Sequence, residues 1–86
     1  MKVVKISAVW CGSCIKMKNI WREIEKEYNF EVINYDYDFD EEEVSKYNVG
    51  SILPVCIILN DENTELERII GEKKKEDIIG IINKYM

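Results

Sequence analysis

The sequence contains no histidine and only one proline, Pro54. The absence of histidine narrows the chemistry that the chain can perform. Without imidazole there is no histidine general base, and no zinc site that requires a histidine ligand. No stretch has the composition of a flexible linker, a repeat or a low-complexity tract. Imidazole-based catalysis is excluded by the absence of histidine.

Long apolar segments are also missing. No segment approaches the roughly 20 apolar residues that a membrane span needs. The first nine residues carry Lys2 and Lys5 inside a short β-branched run and do not match a signal peptide. We therefore expect a cytoplasmic protein with no membrane partner.

The charge balance argues against polyanionic partners. There are 12 Lys and Arg against 17 Asp and Glu, which gives a net charge of -5. An acidic surface repels nucleic acid and anionic lipid, so we expect no nucleic-acid partner. A chain of 86 residues with 47% hydrophobic residues is expected to form one domain, residues 1–86, and to be a monomer.

Cysteine is scarce as well, with three residues in the chain. In a reducing compartment this number argues against a structural disulfide framework and for reactive or buried thiols. Cys56 falls within an apolar run, so we predict that it is a small buried hydrophobe without a redox role.

Apolar periodicity predicts four strands and three helices. The predicted elements are a strand over 2–9, a helix over 13–28, a strand over 30–37, a short helix bearing Val44 and Tyr47, strands over 55–59 and 65–70, and a closing helix bearing Ile78, Ile81, Ile82 and Tyr85. The order β-α-β-α-β-β-α indicates an α/β fold, a four-stranded mixed sheet with helices on both faces. We expect the first three strands to be parallel and the fourth to be antiparallel to the third.

The segment Trp10-Cys11-Gly12-Ser13-Cys14 lies where the first strand ends and the first long helix begins. A thiolate attacks a disulfide, and unpaired N–H groups at a helix start stabilise negative charge there. We therefore predict that Cys11 is the exposed attacking thiol and that Cys14, one turn later, resolves the mixed disulfide. Gly12 would permit a tight backbone, and Trp10 would offer an apolar contact to an incoming chain.

Other interpretations of the two cysteines remain open. They are also compatible with two buried structural thiols, or with a metal-binding module that uses Cys11 and Cys14 as soft ligands. A fold that serves only as an interaction domain is a further alternative. A metal site would need more ligands, and Cys56 is the sole remaining thiol.

The motif resembles the Trp-Cys-Gly-Pro-Cys of the thioredoxin family, and the resemblance extends over nearly the whole chain. Leu53-Pro54, before an apolar strand, resembles the cis-proline loop of the family, and Ile70-Gly71 resembles the glycine that borders its active site. The resemblance implies a cis Leu53–Pro54 bond, with Leu53 backbone groups free to pair with an extended substrate. The implied catalytic residues are Cys11 and Cys14, and the implied substrate-binding residues are Trp10, Gly12, Ser13, Leu53, Pro54 and Gly71.

The family also implies an activity. It predicts a thioredoxin-like thiol–disulfide oxidoreductase, an electron carrier that reduces protein disulfides and has no bound cofactor. Its partners would be disulfide-containing proteins and a thioredoxin reductase or similar flavoprotein. A glutathione-dependent, glutaredoxin-like protein is the alternative, although the motif lacks the Pro-Tyr pair common in glutaredoxins.

Three positions depart from the family pattern. Ser13 replaces the usual proline. Lys5 stands where thioredoxins carry a buried acid that helps to deprotonate the resolving thiol. The segment 49–54 is one residue longer than the corresponding loop. For Lys5 we consider two interpretations, an amine that reaches solvent along an apolar stem and an electrostatic role near Cys14.

Overall fold

The computed structural model describes residues 1–86 and contains four strands and three helices. They are β1 (Lys2–Ser7), α1 (Gly12–Glu27), β2 (Glu31–Asp36), α2 (Glu41–Ser45), β3 (Val55–Leu59), β4 (Glu65–Ile70) and α3 (Lys75–Tyr85). The order and type of the elements agree with the prediction. No helix combines the length and the apolar character that crossing a bilayer would require.

The sheet has the strand order β2-β1-β3-β4, and its strand directions correct one expectation. β1 and β2 are parallel, as predicted. β3 is antiparallel to β1, with Val55 opposite Ile6 and Leu59 opposite Lys2, so the expectation of three parallel strands is wrong. β4 is antiparallel to β3, as predicted.

The short length of α2 agrees with the direction of β3. Its five residues rise about 7.5 Å, whereas a five- or six-residue strand spans about 17–20 Å. A helix this short does not carry the chain back along the sheet, as a parallel crossover must. The chain instead crosses the end of β1 and enters β3 at the edge where β2 finished.

Each face of the sheet buries its own apolar cluster, because side chains alternate along a strand. Val4 and Ile6 belong to the cluster that includes Val44 of α2. Val3 belongs to the cluster that includes apolar residues of α1 and α3, among them Trp21. Helices therefore cover both faces, as the sequence predicts.

This topology gathers four chain segments at one edge of the sheet. β1, β2 and β4 end there, and β3 begins there. The segments that follow β1, β2 and β4 contain Cys11, Asp38 and Gly71, and the segment that precedes β3 contains Pro54. Residues far apart in the sequence thus become neighbours at this edge.

Candidate active site

Cys11 is the N-cap residue of α1. Its backbone is extended, with φ −91° and ψ 110°, and its sulfur accepts the backbone N–H of Cys14 over 3.1 Å. The N–H of Cys11 itself donates to the carbonyl of Ala8 over 3.1 Å. A thiolate at Cys11 would therefore receive a backbone hydrogen bond in addition to the favourable field of the helix start.

The exposure of the two cysteines differs from the prediction. Cys11 was expected at the exposed end of the helix, yet it is 7% exposed and Cys14 is 8% exposed. Both pack into the cluster that holds Leu53 and Val55. The two cysteines are almost equally buried, and the feature that distinguishes them is the backbone hydrogen bond that the Cys11 sulfur accepts from the N–H of Cys14.

Cys14 is held in its thiol form. Burial, followed by the hydrogen bond to Cys11, raises its pKa to about 11 from an ordinary value of 9.0. At pH 7 roughly one Cys14 in ten thousand is ionised at such a pKa. Cys14 therefore needs additional stabilisation of its thiolate before it can act as a nucleophile.

Pro54 and Leu53 lie beside the cysteine pair. The Leu53–Pro54 peptide bond is cis, and both residues are buried. Leu53 shares the apolar cluster of Cys11 and Cys14. The loop that contains Leu53 and Pro54 (the proline loop) and the segment that contains Cys11 and Cys14 therefore form one contiguous wall of the site.

Gly71 stands directly after β4 with φ +80°, a conformation that side chains disfavour. A Cβ built there would lie 3.5 Å from Cγ2 of Ile52, so the glycine also packs against the proline loop. Gly12 differs, because its φ is not positive and a Cβ would meet nothing within 4 Å. The expectation that Gly12 serves a tight backbone is therefore not met.

The structure adds two residues that the sequence did not single out. The indole Nε1 of Trp10 donates to Oδ2 of Asp38 over 2.6 Å. The ring of Trp10 also meets that of Tyr37 edge to face, with centroids 6.4 Å apart. The predicted parallel pairing of β1 and β2 could have pointed to Tyr37 and Asp38, because it brings the segment after β2 next to the segment after β1.

Apolar side chains are exposed around this edge of the sheet. The structure buries Leu53 and exposes 61% of Trp10, 60% of Ile52 and 48% of Ile70. Such a patch beside a reactive group suits contact with another chain.

Cys56 and Lys5 lie behind the pair. Cys56 is 2% exposed, which agrees with the predicted small hydrophobe, and burial raises its pKa to about 12. Lys5 does not send its amine freely into solvent, since Nζ lies 2.8 Å from Oε2 of Glu25 and its side chain is 17% exposed. No group of three or more Cys, Asp or Glu side chains is placed to hold a metal ion.

The comparisons with known proteins agree with this geometry. The family model described as Thioredoxin matches residues 1–84. The chain belongs to the thioredoxin family. It is 33% identical to the thioredoxin of Listeria monocytogenes over 81 residues, with 92% of this chain and 77% of that protein covered. It is 31% identical to the thioredoxin of Bacillus subtilis over 81 residues, with 92% of this chain and 76% of that protein covered.

A solved structure shows the same fold. Reduced thioredoxin of Schistosoma mansoni superposes with a TM-score of 0.88 at 26% identity, with 99% of this chain and 78% of that chain covered. Family membership and the structural match make the chain a thiol–disulfide oxidoreductase with protein-disulfide reductase activity. The glutaredoxin-like and metal-binding alternatives are not favoured.

Proposed function

We propose that Cys11 is the attacking thiol and Cys14 the resolving thiol in the reduction of protein disulfides. The observation that carries the assignment is the hydrogen bond from the Cys14 N–H to the Cys11 sulfur, 3.1 Å long. This bond would stabilise negative charge on the Cys11 sulfur. The raised pKa of the Cys14 thiol keeps Cys14 protonated until the mixed disulfide has formed.

The reaction has two exchanges. The Cys11 thiolate attacks a substrate disulfide, so a Cys11–substrate bond forms and one substrate thiolate leaves. Cys14 then loses its proton and attacks the Cys11 sulfur, which forms the Cys11–Cys14 disulfide and releases the second substrate thiolate. Two electrons pass to the substrate, and a thioredoxin reductase or similar flavoprotein returns two electrons to the pair.

The residues around the pair suit a protein substrate. The exposed side chains of Trp10, Ile52 and Ile70 would contact its apolar groups. Gly12, Ser13, Leu53, Pro54 and Gly71 complete the proposed binding surface, where backbone groups of the proline loop would pair with an extended segment. We take residues 1–86 as one thioredoxin-like domain that acts as a cytoplasmic monomer.

Substitution of each cysteine tests the assignment. Cys14→Ser should accumulate a mixed disulfide between Cys11 and a disulfide-bonded substrate protein, visible by mass spectrometry of the intact complex. Cys11→Ser should abolish reduction and trap nothing, and Cys56→Ser should retain turnover. Capture of substrate on Cys14 in the Cys11→Ser protein at the rate of the Cys14→Ser complex would refute the roles.

A further inference from the structure

A cavity of about 380 Å³ lies behind the cysteine pair, between the start of α1 and the ends of β1 and β2. Cys14 and Pro54 line it on the side of the active site. Its lining also includes three residues with largely buried side chains, Lys5, Trp21 and Cys56. The cavity therefore joins the surroundings of the resolving thiol to those of a largely buried lysine.

The ammonium of Lys5 is held in place from two sides. Oε2 of Glu25 lies 2.8 Å from Nζ, and the centroid of the Trp21 ring lies 5.3 Å from it. Lys5 lines the cavity, whereas Glu25 does not. The cationic partner of this ion pair therefore belongs to the cavity wall, and the carboxylate partner does not.

Cys56 lies close enough to this ion pair for its pKa to respond to both charges. It stands opposite Lys5 in the antiparallel pairing of β1 and β3, on the same face of the sheet. Burial dominates its raised pKa, but the charge of Lys5 lowers that pKa by more than the charge of Glu25 raises it. Ionised Cys14 raises it too, so Cys56 lies within electrostatic reach of both Lys5 and Cys14.

Few other ionisable groups face the cavity. Lys18 of α1 and Asp36 of β2 line it, and Lys18 is exposed to solvent. Oδ1 of Asp36 already accepts the backbone N–H groups of Asp38 and Phe39. With no histidine in the chain and Lys18 exposed, Lys5 is the buried cation of the cavity wall.

We propose that Lys5 is a positioning residue for the resolving step: Glu25 and Trp21 hold its ammonium at the cavity, where it stabilises the thiolate of Cys14. This role rests on the proposed function. Cys14 releases its proton to water and attacks the Cys11 sulfur, while Lys5 keeps its own proton. The Cys11–Cys14 bond forms, the Cys11–substrate bond breaks, and the leaving substrate thiolate takes up a proton.

Stopped-flow reaction with an excess of a chromogenic aryl disulfide separates the two steps. The first thiol is released at a rate that depends on reagent concentration, and the second at a concentration-independent rate set by Cys14. In Lys5→Met we expect the second rate at pH 7 to fall about tenfold and its pH profile to move up by about one pH unit. Lys5→Arg should keep the rate within about twofold, because it keeps the charge.

Two further variants distinguish charge from packing. Glu25→Gln keeps an oxygen that can accept from the Lys5 ammonium and removes the negative charge that opposes its field, so it should accelerate the second step. An ion pair that serves packing alone predicts an unchanged second rate. Lys2→Met alters net charge equally on the same strand and should leave both rates unchanged. Unfolding temperatures of all the variants accompany the kinetics.

Three outcomes would overturn the proposal. They are a Lys5→Met profile that matches the unsubstituted protein, a Lys5→Arg protein that folds normally yet behaves like Lys5→Met, and a Glu25→Gln protein whose second step is no faster. Loss of the first phase in the unsubstituted protein would instead refute the proposed function. The two failures are therefore distinguishable.

Discussion

The backbone N–H of Gly71 donates to the carbonyl of Pro54 over 2.8 Å, which ties the segment after β4 to the proline loop. A Cβ built on Gly71 would lie 3.5 Å from Cγ2 of Ile52, so the exposed Ile52 side chain lies against the segment that follows the exposed Ile70. Gly71 makes this bond with φ +80°, so the chain leaves β4 in a conformation that favours glycine.

We expect Gly71→Ala to reduce the free energy of unfolding by about 1–2 kcal/mol, because alanine is strained at positive φ. Gly80→Ala is the matched control. Gly80 lies in α3, where a Cβ meets nothing within 4 Å, so alanine should add about 0.5–1 kcal/mol. Urea denaturation measures both, and equal effects of the two substitutions would contradict the prediction.

Ser13 occupies the second position of α1, and no protein group accepts its backbone N–H. Ser13→Pro should make the Cys11/Cys14 potential more negative, because proline stiffens the turn of the disulfide and removes a donor available to the thiolate. Each tenfold change in the equilibrium corresponds to about 30 mV. Titration in dithiothreitol redox buffers measures it.

Ser13→Ala is the control for that substitution, since it keeps the N–H and removes the hydroxyl. Its potential should stay close to that of the unsubstituted protein. A Ser13→Pro potential that is unchanged or less negative would show that another group sets the redox equilibrium.

The bond between Trp10 and Asp38 should matter for protein substrates. Trp10→Phe and Asp38→Ala each remove one partner of the 2.6 Å hydrogen bond, so each should lower kcat/KM for a disulfide-bonded protein several-fold. Their effects should be non-additive by about 0.5–1 kcal/mol in a double-mutant cycle. Additive effects would show that the two side chains act separately.

Stability should fall at alkaline pH through Cys14. Its folded pKa of about 11 exceeds the ordinary 9.0, so the folded state binds the thiol proton more tightly than the unfolded state. The contribution is complete below pH 9 and is lost as the pH rises to about 11, by about 2–3 kcal/mol.

Comparison with Cys14→Ser isolates this contribution. Lysine and tyrosine titrations act in both proteins, so their effects cancel in the difference between the two stability curves. Denaturation at a series of pH values from 8 to 11 measures the difference. Parallel curves for the two proteins would contradict the assigned cause.

Much of the active site could be predicted from local sequence. Val3, Val4 and Ile6 mark β1, and the helical spacing of Met17, Trp21 and Ile24 marks α1, because apolar periodicity reports which side chains a single element buries. The cysteine pair at their junction follows from the same pattern, as does the burial of Cys56.

Four features could not be read from local sequence and depend on the tertiary structure. They are the direction of β3, the burial of Cys11, the Trp10–Asp38 hydrogen bond and the cavity that Lys5 and Cys14 both line. Each depends on where separate segments of the chain meet. The helices and strands could be predicted from the sequence, since periodicity acts over a few neighbouring residues, and the proposed roles of Cys11 and Cys14 rest on helix-start effects of the same short range. Tertiary packing determined the partners of those residues, because sheet order and crossover length set contacts across the whole chain.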